Sequence, residues 1–255
     1  MSAPAIRLRG VTKRYGERAV VRDLDLDVAP GELVVLLGAS GSGKTTLLKT
    51  INRLVPPDAG RIELAGEDVS ALPSSALRRR IGYVFQKVGL FPHLSVAENV
   101  GITPRLLGWE PARVAARVAR LLRAMGLPED VADRFPAALS GGQQQRVGVA
   151  RALAAEPEVV LFDEPFGALD PVTRDRLQAL VEGLRGTFAG VFVTHDVPEA
   201  LRLGDRIAVL HEGRIVQLGP PEELVRAPAH AQVAALFEAP ARQAEAFARL
   251  RSGDG

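Results

Sequence analysis

The stretch Glu32-Leu33-Val34-Val35-Leu36-Leu37 is a continuous apolar run, and Gly38-Ala39-Ser40-Gly41-Ser42-Gly43-Lys44-Thr45 follows it directly. Thr45 to Leu54 can then form a helix, so the order is buried strand, glycine-rich loop, helix. The loop has the spacing G-x-x-x-x-G-K-[ST], in the setting that pattern requires. Its glycines let backbone amides curl around phosphate oxygens, and the helix amino terminus adds a favourable dipole. Lys44 supplies a point charge to the β- and γ-phosphates, and Thr45 is placed to hold Mg²⁺. The nucleotide-binding set expected here is Gly38, Ala39, Ser40, Gly41, Ser42, Gly43, Lys44, Thr45 and Thr46. A plain glycine-rich turn is the bland alternative, and the flanking strand and helix argue against it.

Working outward, Val159-Val160-Leu161-Phe162-Asp163-Glu164 places two acids at the end of a second apolar run. A parallel sheet opens its ligand crevice at such strand ends. Asp163 can reach a metal there, and Glu164 can polarise an attacking water. Taken alone, such a pair reads as a helix cap or a solvated loop; the phosphate loop upstream reverses that preference. Gly190 to Val193 is a third apolar run, and Thr194-His195 closes it, so His195 can contact a γ-phosphate. His93, His211 and His230 have no such position and read as structural.

The remaining pattern is that of an α/β chain. Ile6 to Val11 and Ala19 to Val28 alternate as strands around the turn Tyr15-Gly16-Glu17, which predicts an antiparallel edge sheet. A helical stretch from Asp175 to Leu184 joins two buried strands in βαβ fashion. Val114, Val118, Leu121 and Leu122 recur at helical spacing between Pro111 and Met125 and suggest a helical insertion. Leu77-Arg78-Arg79-Arg80 reads as a solvated helix face before a strand, Trp109 as packing, and the sequence beyond Pro220 as polar and helix-prone.

The 255 residues carry a net charge of +2, too small to imply nucleic-acid binding, and contain no cysteine. Disulfides, thiolate nucleophiles and cysteine-bound metals are thereby excluded. No signal-peptide run and no stretch of about 20 apolar residues is found, so a cytoplasmic protein that docks on a membrane partner is expected.

Leu139-Ser140-Gly141-Gly142-Gln143 opens another helical stretch and forms a second anion-binding nest at a helix amino terminus. In isolation it would be an N-cap and turn. Between the phosphate loop and Asp163-Glu164, it resembles the signature motif of ABC ATPases, and the resemblance extends from about Ile6 to Leu218. That resemblance implies a P-loop NTPase (RecA-like) core with an N-terminal antiparallel β subdomain and an inserted α-helical signature subdomain at about 88–155. It implies an ATPase domain over 1–240 with a short C-terminal tail at 241–255, and ATP and Mg²⁺ as cofactors. In the family two subunits pair head to tail, so Ser140, Gly141, Gly142 and Gln143 of one would close over the nucleotide of the other. Tyr15 resembles the adenine-stacking aromatic, and Gln86 the Q-loop glutamine that meets Mg²⁺ and water. Ala168-Leu169-Asp170 resembles the D-loop at the dimer contact, with Gly167 where the common variant has serine. By the same likeness Glu164 takes the place of the catalytic base and His195 that of the switch histidine, while Asp163 joins Thr45 and Gln86 at the metal.

The partners so implied are a paired ABC subunit, identical or not, a transmembrane permease and, indirectly, an extracytoplasmic substrate-binding protein; the place is the cytoplasmic face of the membrane. The family's permease coupling helix is received by the segment matching Gly89 to Val96. Soluble repair ATPases of the family insert a coiled coil or zinc module between Q-loop and signature, where only Lys87 to Ala138 lies here. Translation factors usually carry two cassettes, and exporter half-transporters carry their own membrane spans. A P-loop GTPase or kinase would lack Leu139 to Gln143.

Val88 to Asn99 and Pro104-Arg105-Leu106-Leu107-Gly108-Trp109 further resemble the ATPases of osmoprotectant importers, which take up glycine betaine, choline and carnitine. An importer of polar amino acids, methionine or polyamines is the alternative. Regulatory modules of the cystathionine-β-synthase type follow the core in several members of the branch; the sequence ends at Gly255, and sensing through such modules is not expected.

Overall fold

The computed structural model describes residues 3–167 and 169–252; Ala168 of the expected D-loop lies outside the described residues. The chain opens with β1 (Ile6–Tyr15) and β2 (Arg18–Val28), antiparallel from Ile6 opposite Val28 to Tyr15 opposite Arg18. Next come β3 (Leu33–Leu37), buried at every residue, and α1 (Lys44–Ile51). After them stand β4 (Ala59–Leu64), β5 (Glu67–Asp68), α2 (Ser74–Arg80) and β6 (Ile81–Val84). Three helices, α3 (Val96–Leu106), α4 (Pro111–Ala124) and α5 (Gly141–Leu153), occupy the region expected to be the helical insertion. The chain returns through β7 (Val159–Asp163), α6 (Pro171–Gly183), β8 (Ala189–Thr194) and α7 (Val197–Leu203). It ends with β9 (Arg206–His211), β10 (Arg214–Gly219), α8 (Pro221–Arg226) and α9 (Ala231–Ser252).

Two sheets result. One is antiparallel in the order β2-β1-β4-β5; the other runs β10-β9-β3-β8-β7-β6 and is parallel except for its β10 edge. The central strands read as unbroken apolar runs because both faces of the parallel sheet are covered. Alternation assigns each residue to one of two cores. Leu33, Val35, Leu37, Phe162 and Phe192 face the core shared with the α3–α5 helices. Val34, Leu36, Leu161 and Val191 face a second core with α1 and the antiparallel sheet, where Ile6, Leu8 and Leu26 lie.

Local chemistry sets the helix borders. α6 begins at Pro171 rather than Asp175, because the Asp170 carboxylate accepts from the Thr173 amide at 3.0 Å and proline suits the first helical position. α1 stops at Ile51, short of Leu54, with Arg53 in the left-handed region at φ 53. Val114, Val118, Leu121 and Leu122 are the buried residues of α4, and the ring of Trp109 lies 3.5 Å from the Arg113 guanidinium while packing on the core. α9 runs through residue 240, where the domain border was expected, with Pro240 inside it.

Phe162 is fully buried between Phe188 and Phe192, at centroid distances of 5.9 and 5.3 Å. Phe162→Ala should therefore destabilise the fold by about 3–5 kcal/mol, the usual cost of an aromatic cavity. Chemical denaturation of the two proteins checks this, and a loss under about 1 kcal/mol would contradict the packing described.

Candidate functional site

Four neighbouring parallel strands, β3, β8, β7 and β6, end close to one level. Leu37 of β3 pairs with Thr194 of β8, Val193 of β8 with Asp163 of β7, and Phe162 of β7 with Val84 of β6. The segments beyond these ends carry the phosphate loop, Glu164, His195 and Gln86, and all of these emerge along one edge. Two glycines let the loop turn tightly there. A Cβ on Gly38 would lie 2.3 Å from the Leu210 carbonyl, and one on Gly43, at φ 107, would lie 2.5 Å from the Val20 carbonyl. No other residue type fits these positions without displacing backbone.

Lys44 is buried, and its ammonium donates to the carbonyls of Gly38 at 2.7 Å and Ala39 at 2.9 Å. Burial pulls its pKa down, and the charges of Glu164 and Asp163 oppose that. The Thr45 hydroxyl donates to Asp163 Oδ1 at 2.7 Å, while the Tyr83 hydroxyl donates to Oδ2 at 3.2 Å. Burial, and then the neighbouring carboxylate, push the Tyr83 phenol above its usual range, so it stays a proton donor.

Glu164 has a left-handed backbone, φ 45, with its amide bonded to the Val193 carbonyl at 3.0 Å. A non-glycine residue there carries strain, and such strain concentrates at working sites. The turn brings Glu164 Oε2 within 3.1 Å of Gln86 Nε2, which donates to it, and within 3.4 Å of His195 Nδ1. Ser40, Gly41, Gly43, Lys44, Thr45, Thr46, Gln86, Glu164 and His195 line one cavity of about 460 Å³, together with Val20.

Other expected site residues lie away from this cavity. Ser140 and Gln143 cap α5 reciprocally: the serine hydroxyl accepts from the Gln143 amide at 3.2 Å, and the Gln143 side-chain oxygen accepts from the Ser140 amide at 2.9 Å. Gly142 sits against the first turn of α6, where an added Cβ would meet the Thr173 methyl at 3.0 Å. Asp170 caps α6, and its hydrogen bonds to Thr173 hold the carboxyl below its ordinary range. Tyr15 stands at the end of β1, 53% exposed, with the Lys13 ammonium 5.6 Å from its ring centre. Two residues of the site have no signal in local spacing: Tyr83, which lies behind the cavity and fixes Asp163 from the neighbouring strand, and Val20, which reaches the loop from β2 and lines the cavity.

The residues fit a nucleotide with Mg²⁺. The Ser42 hydroxyl is buried in the loop without a hydrogen-bond partner, which a phosphate oxygen would provide. A threonine hydroxyl, a carboxylate and an amide oxygen are hard donors too few to cage an ion alone, the usual arrangement when phosphate and water complete the shell of Mg²⁺.

Residues 21–167 match the ABC transporter family. The glycine betaine/carnitine/choline transport ATP-binding protein of Bacillus subtilis (strain 168) is 49% identical over 228 residues, 88% of this chain and 60% of its own length. The glycine betaine uptake system ATP-binding protein of Escherichia coli (strain K12) is 48% identical over 234 residues, 91% of this chain and 76% of its own length. The chain thus spans about three-fifths of the first relative. Among solved structures, a dimeric ATP-binding cassette in a post-hydrolysis state bound to ADP and phosphate superposes with a TM-score of 0.77 at 33% identity, over 85% of this chain and 98% of that one. A phosphate loop and a carboxylate pair on one parallel sheet, with a capped glycine-rich nest at the start of α5, thus coincide with a family match over more than half the sequence: the chain belongs to the ABC transporter family.

Proposed function

We propose that this chain binds and hydrolyses ATP as one of a pair of subunits, and that it drives a separate permease importing quaternary-amine osmoprotectants. The observation that carries the catalytic reading is the Gln86–Glu164–His195 cluster, facing the same cavity as Lys44 and Thr45. Lys44 and the loop amides bind the phosphates. Thr45, Asp163 and Gln86 would hold Mg²⁺, which supplies charge neutralisation on the phosphates. Tyr83 and Thr45 each anchor one oxygen of Asp163 and so fix the carboxylate plane. Gln86 and His195 both contact Oε2 of Glu164, which orients the carboxylate so that Oε1 takes the proton of the attacking water. Ser140, Gly141, Gly142 and Gln143 act in trans. None of the four is among the residues lining the chain's own cavity, which supports a composite site, as does the dimeric form of the similar cassette. Asp170 belongs to the dimer contact and Tyr15 to the adenine.

The import reading rests on the relatives, which are named for betaine, choline and carnitine transport. Among the described residues no helix is long and apolar enough to cross a membrane. A groove of about 490 Å³ between the end of β6 and α3, lined by Phe85, Lys87, Phe91 and Leu106, is suited to receive the permease at the cytoplasmic face.

Glu164→Gln should lower ATP hydrolysis by roughly 10²-fold or more while ATP binding persists and ATP-bound dimers accumulate. Turnover and nucleotide-binding assays on the purified variant check this; hydrolysis within about twofold of wild type would remove Glu164 from the role of base. For the cargo, the chain reconstituted in liposomes with its permease and binding protein should be stimulated by glycine betaine, choline or carnitine. Stimulation by amino acids and by none of the amines would overturn the osmoprotectant assignment and keep the importer ATPase.

A further inference from the structure

Arg151 lies near the end of α5 and is only 9% exposed, yet no carboxylate pairs with it among the described residues. Burial alone lowers its pKa, as expected for a cation removed from water with nothing opposite in charge beside it. A buried charge costs stability unless its donors are satisfied by well-placed acceptors. The guanidinium spends its donors on backbone: Nη1 to the Gly89 carbonyl at 2.7 Å and Nη2 to the Val88 carbonyl at 2.8 Å. Its centre lies 5.9 Å from the ring of Phe91. One turn earlier on α5, Gly148 leaves room for Val88, whose side chain an added Cβ would meet at 2.9 Å.

These contacts pin a particular loop. It leaves Gln86 at the catalytic cavity, passes Val88 to Phe91, and enters α3 at Ser95. Asn99, fully buried on α3, holds its far side by accepting from the Phe91 amide at 2.8 Å and donating to the carbonyls of Phe91, Leu94 and Ser95 at 3.0–3.1 Å. Phe91 is nevertheless 41% exposed and lines the groove beside Phe85 and Leu106. The opposite end of α5 is the Ser140 nest, roughly 15 Å away along a stiff helix. One rigid element thus has an anion-binding turn at its start and the groove-lining loop fastened to its end.

We propose that Arg151 is the positioning residue that makes α5 and the loop Val88 to Phe91 move as one piece, carrying nucleotide engagement at Ser140 to the permease-facing groove. The inference rests on the importer reading and adds to it the residue through which the two events are joined. Arginine suits the role because its planar fork meets two successive carbonyls at once, which a lysine ammonium on a flexible stem does not hold in one geometry.

The test compares wild type, Arg151→Met and Arg151→Lys, each as the full chain reconstituted with the permease that co-purifies with the wild type, together with its binding protein and amine substrate. Basal and permease-stimulated hydrolysis are measured side by side, with the melting temperature of each chain. The ratio of stimulated to basal rate does not depend on how much of a variant is folded, so it separates coupling from stability. In Arg151→Met the ratio should fall roughly fivefold or more, the lower edge of ordinary coupling between sites, with basal hydrolysis retained. Arg151→Lys should restore part of it. An unchanged ratio in Arg151→Met, whether or not both rates fall together, would overturn the proposal. Absence of stimulation in the wild type itself would sink the importer reading and this inference with it, and so distinguishes the two failures.

Discussion

The hydrogen bond from the Thr45 hydroxyl to Asp163 is the contact on which the site depends. β3, which leads into the phosphate loop, and β7, which ends in Asp163, are not neighbours: β8 lies between them. The bond therefore spans a strand, and it can form only because the registers of β3, β8 and β7 bring their carboxyl ends to one level. A slip of one residue in any pairing would turn alternate side chains to the other core and lift one site residue out of line. The unbroken burial of β3, β7 and β8 is what prevents that slip. Packing of Phe162 against Phe192 and pairing of Asp163 with Thr45 are thus two ends of one constraint.

That constraint builds a cradle but only half of an enclosure. Gln86, Glu164 and His195 converge on it, whereas the second nest, held in shape by the Ser140–Gln143 capping box, is not part of its lining. Asp170 adjoins that nest through α6, since Gly142 rests on the Thr173 turn that Asp170 caps. Residues the family resemblance assigns to one nucleotide therefore fall into two groups on one chain, which is what a head-to-tail pair requires.

The sequence is most readable where function is written in local spacing. Gly38 to Thr45, Asp163-Glu164 and His195 stand beside apolar runs long enough to identify as strands, and the βαβ order comes from them. The helical insertion is legible at α4, where four apolar residues share a face. β9 and β10 are not: Ile207 to Leu210 is a run of four that could equally belong to a buried helix, and the Glu212-Gly213 turn between the strands gains meaning only once both residues are seen at positive φ. Tyr83 and Arg151 escape for a different reason. Their partners, Asp163 and the carbonyls of Val88 and Gly89, lie some 60 to 80 positions away, with |i−j| of 80, 63 and 62, and no periodicity announces a contact across such a separation. The start of α6 differs from expectation because Asp170, which the family likeness assigns to the dimer contact, is also the residue that caps the helix.

Mixing two inactive variants tests most directly the claim that the functional site is shared between chains. Lys44→Ala disables the phosphate loop, and Ser140→Arg fills the nest, so each homodimer should be silent. In a mixed dimer one site keeps an intact loop from one chain and an intact nest from the other. ATP hydrolysis should reappear on mixing; continued silence, with mixed dimers shown to form, would rule out a site shared between chains.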